Sequence, residues 1–166
     1  MSQRITNASP LVFLAKLDRI DLLRLGVDEV LVPSAVLAGV RAKPDIATQR
    51  LEAHLGNWLR ECPMTRQDLL QALPDLGSGE REVVAQALQV GIVDAVLDDQ
   101  DARRLARRMG LEPIGTVGLL LAAKRKGLLP SLTDELRRLE SVGFRISDAL
   151  RSRALLEAGE QSLCQD

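Results

Sequence analysis

The sequence predicts an α/β chain in which a parallel sheet carries helices on both faces. Three observations lead there. Short apolar strand-like runs alternate with helix-patterned segments throughout the first 127 residues. Glycine, proline and small polar residues fall where those segments should start or stop. Polar groups gather just after the predicted strands: Asn7 and Ser9, then Asp98 and Asp99, then Thr116. In a parallel sheet these positions share one edge, and ligands bind at that edge.

Arg4–Thr6 is short for a strand, but its context supports one. Asn7-Ala8-Ser9-Pro10 follows, with Ser9 suited to an N-cap and Pro10 to a first helical position, opening a helix over Leu11–Leu17. A second helical segment, Arg19–Leu25, stops at Gly26. Glu29–Val32 reads as the second strand, and Pro33-Ser34 starts a helix over Ala35–Arg41, Ser34 being read as its cap. Asp45–Arg60 reads as helical with a break at Gly56, and Cys62-Pro63 stops it. Asn57–Met64 stays open between loop and strand. A short amphipathic helix, Arg66–Leu73, is closed by Pro74, and Asp75–Ser78 is a loop.

The stretch Gly79–Arg108 organises the chain. Glycine and Glu80 open an apolar helix, a strand at Ala95–Leu97 runs into Asp98, Asp99 and Asp101, and a helix over Ala102–Met109 leaves with four arginines and ends at Gly110. Leu111–Ile114 is the next strand. Gly115-Thr116 turns into a helix over Val117–Lys126, ended by Gly127. Two more helices follow Pro130: Leu132–Val142, opened near Thr133 and Asp134, and Asp148–Ala158, capped by Ser147. The tail to Asp166 is polar. One domain results, with its core at about 3–127 and extra C-terminal helices at about 131–158.

The 166 residues suffice for one full core. Aromatics are 2%, so the core is Leu, Val, Ala and Ile, and stacking platforms for single-stranded bases are disfavoured. With 22 basic and 23 acidic residues no overall field draws nucleic acid, so binding needs a local basic patch. Two cysteines, Cys62 and Cys164, make no disulfide framework, and a reducing cytoplasm is the simpler compartment. The N-terminus lacks a long h-region. No uncharged run is longer than Pro113–Ala123, which falls far short of the ~20 residues a membrane span needs. Neither a GxxxxGK[ST] loop nor GxGxxG is present. His54 has no partner residue, neither cysteine stands at zinc spacing, and Trp58 reads as core or interface.

If the strand ends meet, Glu80, Asp98 and Asp99 point into one cleft. Clustered carboxylates repel, and a hard divalent cation neutralises them. Plainer readings stand beside this one. Asp98-Asp99-x-Asp101 can be a helix start, where acids complement the dipole. Glu80 and, more readily, Glu82 can be first-turn acids. Ser9 and Thr116 can be caps, and Arg103, Arg104, Arg107 and Arg108 a solvated face.

Six segments, taken in order, resemble the PIN domains, in particular their VapC-like branch: TNASPLVFLAKL, VLVPSAVLAGV, GSGEREVVAQAL, VLDDQDARRLARRMGL, PIGTVGLLLAAKRKGLL and GFRISDAL. They span about Ile5 to Leu150. The resemblance implies a three-layer α/β/α sandwich and a Mg²⁺- or Mn²⁺-dependent ribonuclease. It also implies the toxin of a toxin–antitoxin pair, with a small antitoxin as partner, and a homodimer. Carried across residue by residue, the mid-chain acid is Glu80, with Glu82 as second choice, and the acids after the third predicted strand are Asp98 and Asp99. Ser9 and Thr116 fall at hydroxyl positions. Asn7 stands where the family usually has Asp; its amide oxygen can still ligate or orient a ligand water, but it brings no charge, so metal affinity should fall. RNA phosphates would lie on Arg103, Arg104, Arg107 and Arg108, with Lys124–Lys126 as further candidates.

Overall fold

The computed structural model describes residues 1–76 and 79–160. Gly77 and Ser78 of the predicted loop, and the predicted polar tail with Cys164, lie outside the described residues. The strands are β1 (Gln3–Thr6), β2 (Glu29–Pro33), β3 (Leu59–Cys62), β4 (Asp94–Val96) and β5 (Glu112–Ile114). All pair in parallel, in the order β3-β2-β1-β4-β5. The helices are α1 (Ala8–Lys16), α2 (Ser34–Arg41), α3 (Ile46–Glu52), α4 (Gln67–Ala72), α5 (Glu80–Val90), α6 (Gln100–Arg108), α7 (Thr116–Arg125), α8 (Leu132–Ser141) and α9 (Asp148–Glu157), with a 3-10 turn at Ile20–Arg24.

The sheet order decides where a site can form. The chain builds β1, β2 and β3 outward on one side, then returns to lay β4 and β5 on the other side of β1. Right-handed crossovers put the outbound helices on one face and the returning helices on the other. The packing follows that division: α1 contacts α2, α3 and α7, while α5 contacts α6 and the strands β1, β2 and β4. The result is the expected three-layer α/β/α sandwich. The strand order reverses between β1 and β4, and that switch point opens a crevice beyond their carboxyl ends.

Despite its length, β1 is central. Ile5 and Thr6 are fully buried, and Arg4 forms a bidentate pair with Asp94, its register partner on β4. The apolar stripes of α1 (Leu11, Leu14, Ala15) and α5 (Val83, Val84, Ala87) close on opposite faces of such strands.

Three local expectations change. The helix predicted over Asp45–Arg60 ends at Glu52, and Leu59–Cys62 is an edge strand beside β2. Ser9 lies inside α1, whose N-cap is Asn7. Ser34 is the first residue of α2, behind Pro33, and makes no capping bond. Trp58 is buried, with the Arg24 guanidinium over its ring at 5.7 Å. No helix among the described residues is long and apolar enough to cross a membrane.

Candidate active site

At the switch point, Asn7 follows β1 and Asp98 follows β4. The strands are still paired there, the Asn7 N–H donating to the Val96 carbonyl at 3.1 Å. An N-cap asparagine usually turns its side chain onto its own helix. Asn7 does not: its Nδ2 donates to Glu80 Oε1 at 3.3 Å, across 73 residues of sequence. Only glycine fits at position 79. Its φ is +108°, and an added Cβ would sit 3.0 Å from the Asn7 amide oxygen. The glycine before α5 therefore lets the first turn bring Glu80 against Asn7.

The two adjacent aspartates do different work. Asp98 accepts three hydrogen bonds, from Ser9 Oγ at 2.8 Å, Thr116 N–H at 2.7 Å and Thr116 Oγ1 at 2.7 Å. Both its oxygens are engaged, and it ties the start of α1 to the start of α7. Asp99 is the N-cap of α6, one oxygen accepting the Ala102 N–H at 2.8 Å, and it is exposed. Asp101 pairs with Arg104 on the surface. Glu82 reaches back to accept the Gly79 N–H at 2.8 Å, closing the first turn of α5.

One open cleft of about 380 Å³ collects Asn7, Ser9, Glu80, Asp98 and Asp99. Phe13 and, from the α8–α9 linker, Gly143, Phe144 and Arg145 form the rest of its wall. The two phenylalanines meet edge to face there, 5.1 Å between centroids. Thr116 does not line the cleft: it is fully buried and acts through Asp98.

Among the described residues no three acidic, histidine or cysteine side chains group closely enough to hold a metal ion between them. The donors at hand are nonetheless all oxygens, which suits a hard cation. Glu80 and Asp99 each engage one oxygen with a protein donor and keep the other unengaged among the described residues. Mg²⁺ keeps several waters and takes one or two carboxylates. The residues therefore fit an ion that takes one or two carboxylates, with Glu80 and Asp99 having an oxygen to offer it.

Arg103 and Arg107 flank the cleft, lining a neighbouring pocket that also includes Asp98. Arg104 is paired and Arg108 exposed on α6. Lys124 and Arg125 lie in the last turn of α7, about 12 Å along the helix from Thr116. There Lys124 donates to the Pro130 carbonyl, so this group holds the C-terminal fold and stands apart from the cleft. Sequence reasoning assigns no role to Phe13, Phe144, Arg145 or Arg153. The segment GFRISDAL, last of the six that carry the family resemblance, supplies two of them.

A family model described as a PIN domain matches residues 3–160. Among curated proteins, none matches the chain.

Proposed function

The chain belongs to the PIN-domain family, whose members are in general metal-dependent nucleases, and we propose that it is a Mg²⁺- or Mn²⁺-dependent endoribonuclease, the toxin of a toxin–antitoxin pair. One observation carries the nuclease reading: Asn7, Glu80, Asp98 and Asp99, scattered over more than ninety positions, line a single cleft at the switch point. Glu80 and Asp99 hold the ion in this reading. Asp98, held by Ser9 and Thr116, ties the start of α1 to the start of α7 beside them. When bound, the ion acidifies water and offsets charge on the phosphoryl oxygens.

The chain's own groups do the rest. Glu80, oriented by the Asn7 amide, accepts the proton of the attacking water. The water oxygen bonds to phosphorus in line, the P–O bond to the ribose breaks, and the departing oxygen takes a proton from solvent. Arg103 and Arg107, beside the cleft, hold backbone phosphates of the RNA. The toxin assignment draws on the motif resemblance to the VapC-like branch. A small antitoxin, or a second copy, would dock on the C-terminal helices, where Leu128 and Leu156 are more than half exposed.

A second reading has its own observation. The Asn7 amide already satisfies a Glu80 oxygen, as a cation would, so the site needs less positive charge than one with Asp there. On this reading the chain is a weakened PIN domain that binds RNA or a protein. Mn²⁺-dependent cleavage of a fluorogenic RNA by wild type, Glu80→Gln and Asn7→Asp separates the two. Cleavage by wild type that Glu80→Gln abolishes supports the enzyme. Cleavage by Asn7→Asp alone supports the binding module.

A further inference from the structure

We propose that the pocket beside the acid cleft is a phosphate subsite for the nucleic-acid substrate, completed by Arg145 and Arg153 from the C-terminal segment. The inference rests on the nuclease reading of the cleft and adds to it the path of the substrate's backbone.

Four arginines converge on this pocket of about 290 Å³. Arg103 and Arg107, four apart on α6, share one helix face. Arg145 comes from the α8–α9 linker and Arg153 from α9, so the two pairs meet across the fold and not along the sequence. None of the four forms an ion pair among the described residues. Their neighbours behave otherwise: Arg104 pairs with Asp101, Arg125 with Glu157, Arg138 with Glu135 and Arg151 with Glu140. Acids and bases are nearly equal in number in this chain, so four unpaired arginines in one pocket are a local excess. Guanidinium groups brought together repel, and an anion with several oxygens relieves that repulsion through bidentate bonds. The one acid in the wall, Asp98, accepts three hydrogen bonds from Ser9 and Thr116 and forms no ion pair with any of the four among the described residues.

Glycine at 115 keeps the passage open. A Cβ there would stand 2.9 Å from Arg103 Nη1 and 3.1 Å from Asp98 Oδ1. The pocket and the acid cleft share Asp98, Phe144 and Arg145, so they are contiguous. A strand whose scissile phosphate lies over Glu80 and Asp99 thus places a neighbouring phosphate among the arginines. The volume holds about ten waters at ~30 Å³ each, more than a bare ion requires. Ile114, Pro113 and Phe144 give an apolar wall for the sugar or base attached to that phosphate.

The test is fluorescence anisotropy of a short single-stranded RNA in EDTA, where binding is read without cleavage. The RNA is used with and without a 5′-phosphate. The proteins are the full-length wild type, Arg145→Gln, Arg153→Gln, the double variant, Arg153→Lys, and Arg137→Gln as a control on an exposed face of α8. The double variant should bind about tenfold more weakly or worse, and its salt slope should fall by about one for each phosphate it no longer neutralises. Arg153→Lys should recover part of the loss, and Arg137→Gln should bind as wild type. A gain from the 5′-phosphate that the double variant erases assigns a terminal phosphate. Loss without such a gain assigns an internal one. Wild-type affinity and slope in the double variant, with thermal melts confirming its fold, overturn the subsite and leave the nuclease reading standing. Absence of RNA binding by wild type in EDTA also overturns the subsite, and the Mn²⁺-dependent cleavage assay then judges the nuclease reading by itself.

Discussion

Two clusters of acid and donor groups lie at opposite ends of α7, and they use carboxylates differently. At the C-terminal end Glu160 accepts from Leu132 N–H at 2.7 Å, Thr133 N–H at 3.1 Å, Thr133 Oγ1 at 2.9 Å and Ser131 Oγ at 3.3 Å, with Lys124 Nζ at 3.5 Å. It caps α8 from a position beyond α9. Burial alone would raise its pKa, but the Leu132 and Thr133 donors and the Lys124 charge bring it down to about 2. In the cleft, Glu80 receives one amide bond and Asp99 one backbone bond. A carboxylate saturated by fixed donors holds the fold, whereas one with unengaged oxygens at an open surface is available to a cation or a water. By this measure Asp98 belongs with Glu160 although it sits beside Glu80.

The largest expected effect sets Glu80 against Glu160. Glu80→Gln should lower Mn²⁺-dependent RNA cleavage by about 100-fold or more while leaving the melting temperature near wild type. Glu160→Gln should do the reverse. Paired activity assays and thermal melts decide it, and a Glu80→Gln protein that melts early would erase the contrast. Asp98→Ala sharpens the comparison. It leaves the buried Thr116 hydroxyl and its N–H without an acceptor, which should cost about 2–3 kcal/mol in denaturant unfolding, with activity falling as a consequence. Asp98→Ala with wild-type stability would return Asp98 to the group of free ligands.

The Glu160 site also makes a prediction in pH. Its folded pKa, about 2, lies below the ordinary value of 4.5, so its stabilisation is fully present above the ordinary value. It is lost as pH falls from there through the folded value. Urea midpoints of wild type should therefore drop between about pH 4.5 and pH 2 more steeply than those of Glu160→Gln, by on the order of 3 kcal/mol over the window. Parallel curves for the two proteins would show that the clamp contributes nothing in solution.

Asn7→Asp moves the cleft the other way. A second carboxylate replaces the amide 3.3 Å from Glu80, so repulsion destabilises the protein free of metal and a divalent ion relieves it. Titrating Mn²⁺ during thermal melts should raise the midpoint of Asn7→Asp more than that of wild type, by about 1–2 kcal/mol in stability for a tenfold gain in affinity. Equal shifts would mean that position 7 does not face the ion.

How far these contrasts could be read from sequence depended on whether the deciding contact was local. Alternating strands and helices, with Gly79, Gly110 and Gly127 at element ends, carried the parallel sheet and the edge where Asn7, Glu80, Asp98 and Asp99 meet. β3 was harder because it is an edge strand: Leu59 is buried, Arg60 and Glu61 are exposed, and four residues leave no alternation to detect. Ser9 and Asn7 are both good cap residues, and what separates them is a carboxylate at position 80 for one and at 98 for the other. Asp99 satisfied the helix-start reading and the cleft reading at once, because an N-cap at a strand end occupies both places. Arg145 and Arg153 meet Arg103 and Arg107 only through the packing of α9, which no spacing encodes.

The smallest effect tests the choice between the two acids of α5. Glu82 spends an oxygen on the Gly79 N–H at 2.8 Å, in the turn where glycine holds φ at +108°. It is a cap, and Glu82→Ala should cost about 1 kcal/mol in stability. The same bond steadies the turn that presents Glu80, so activity should drop only several-fold. Glu82→Gln keeps an acceptor and should restore most of both. If Glu82→Gln instead loses cleavage as completely as Glu80→Gln while melting like wild type, the charge at 82 is what the reaction needs. The two glutamates would then exchange roles, and the cap would be incidental to a ligand.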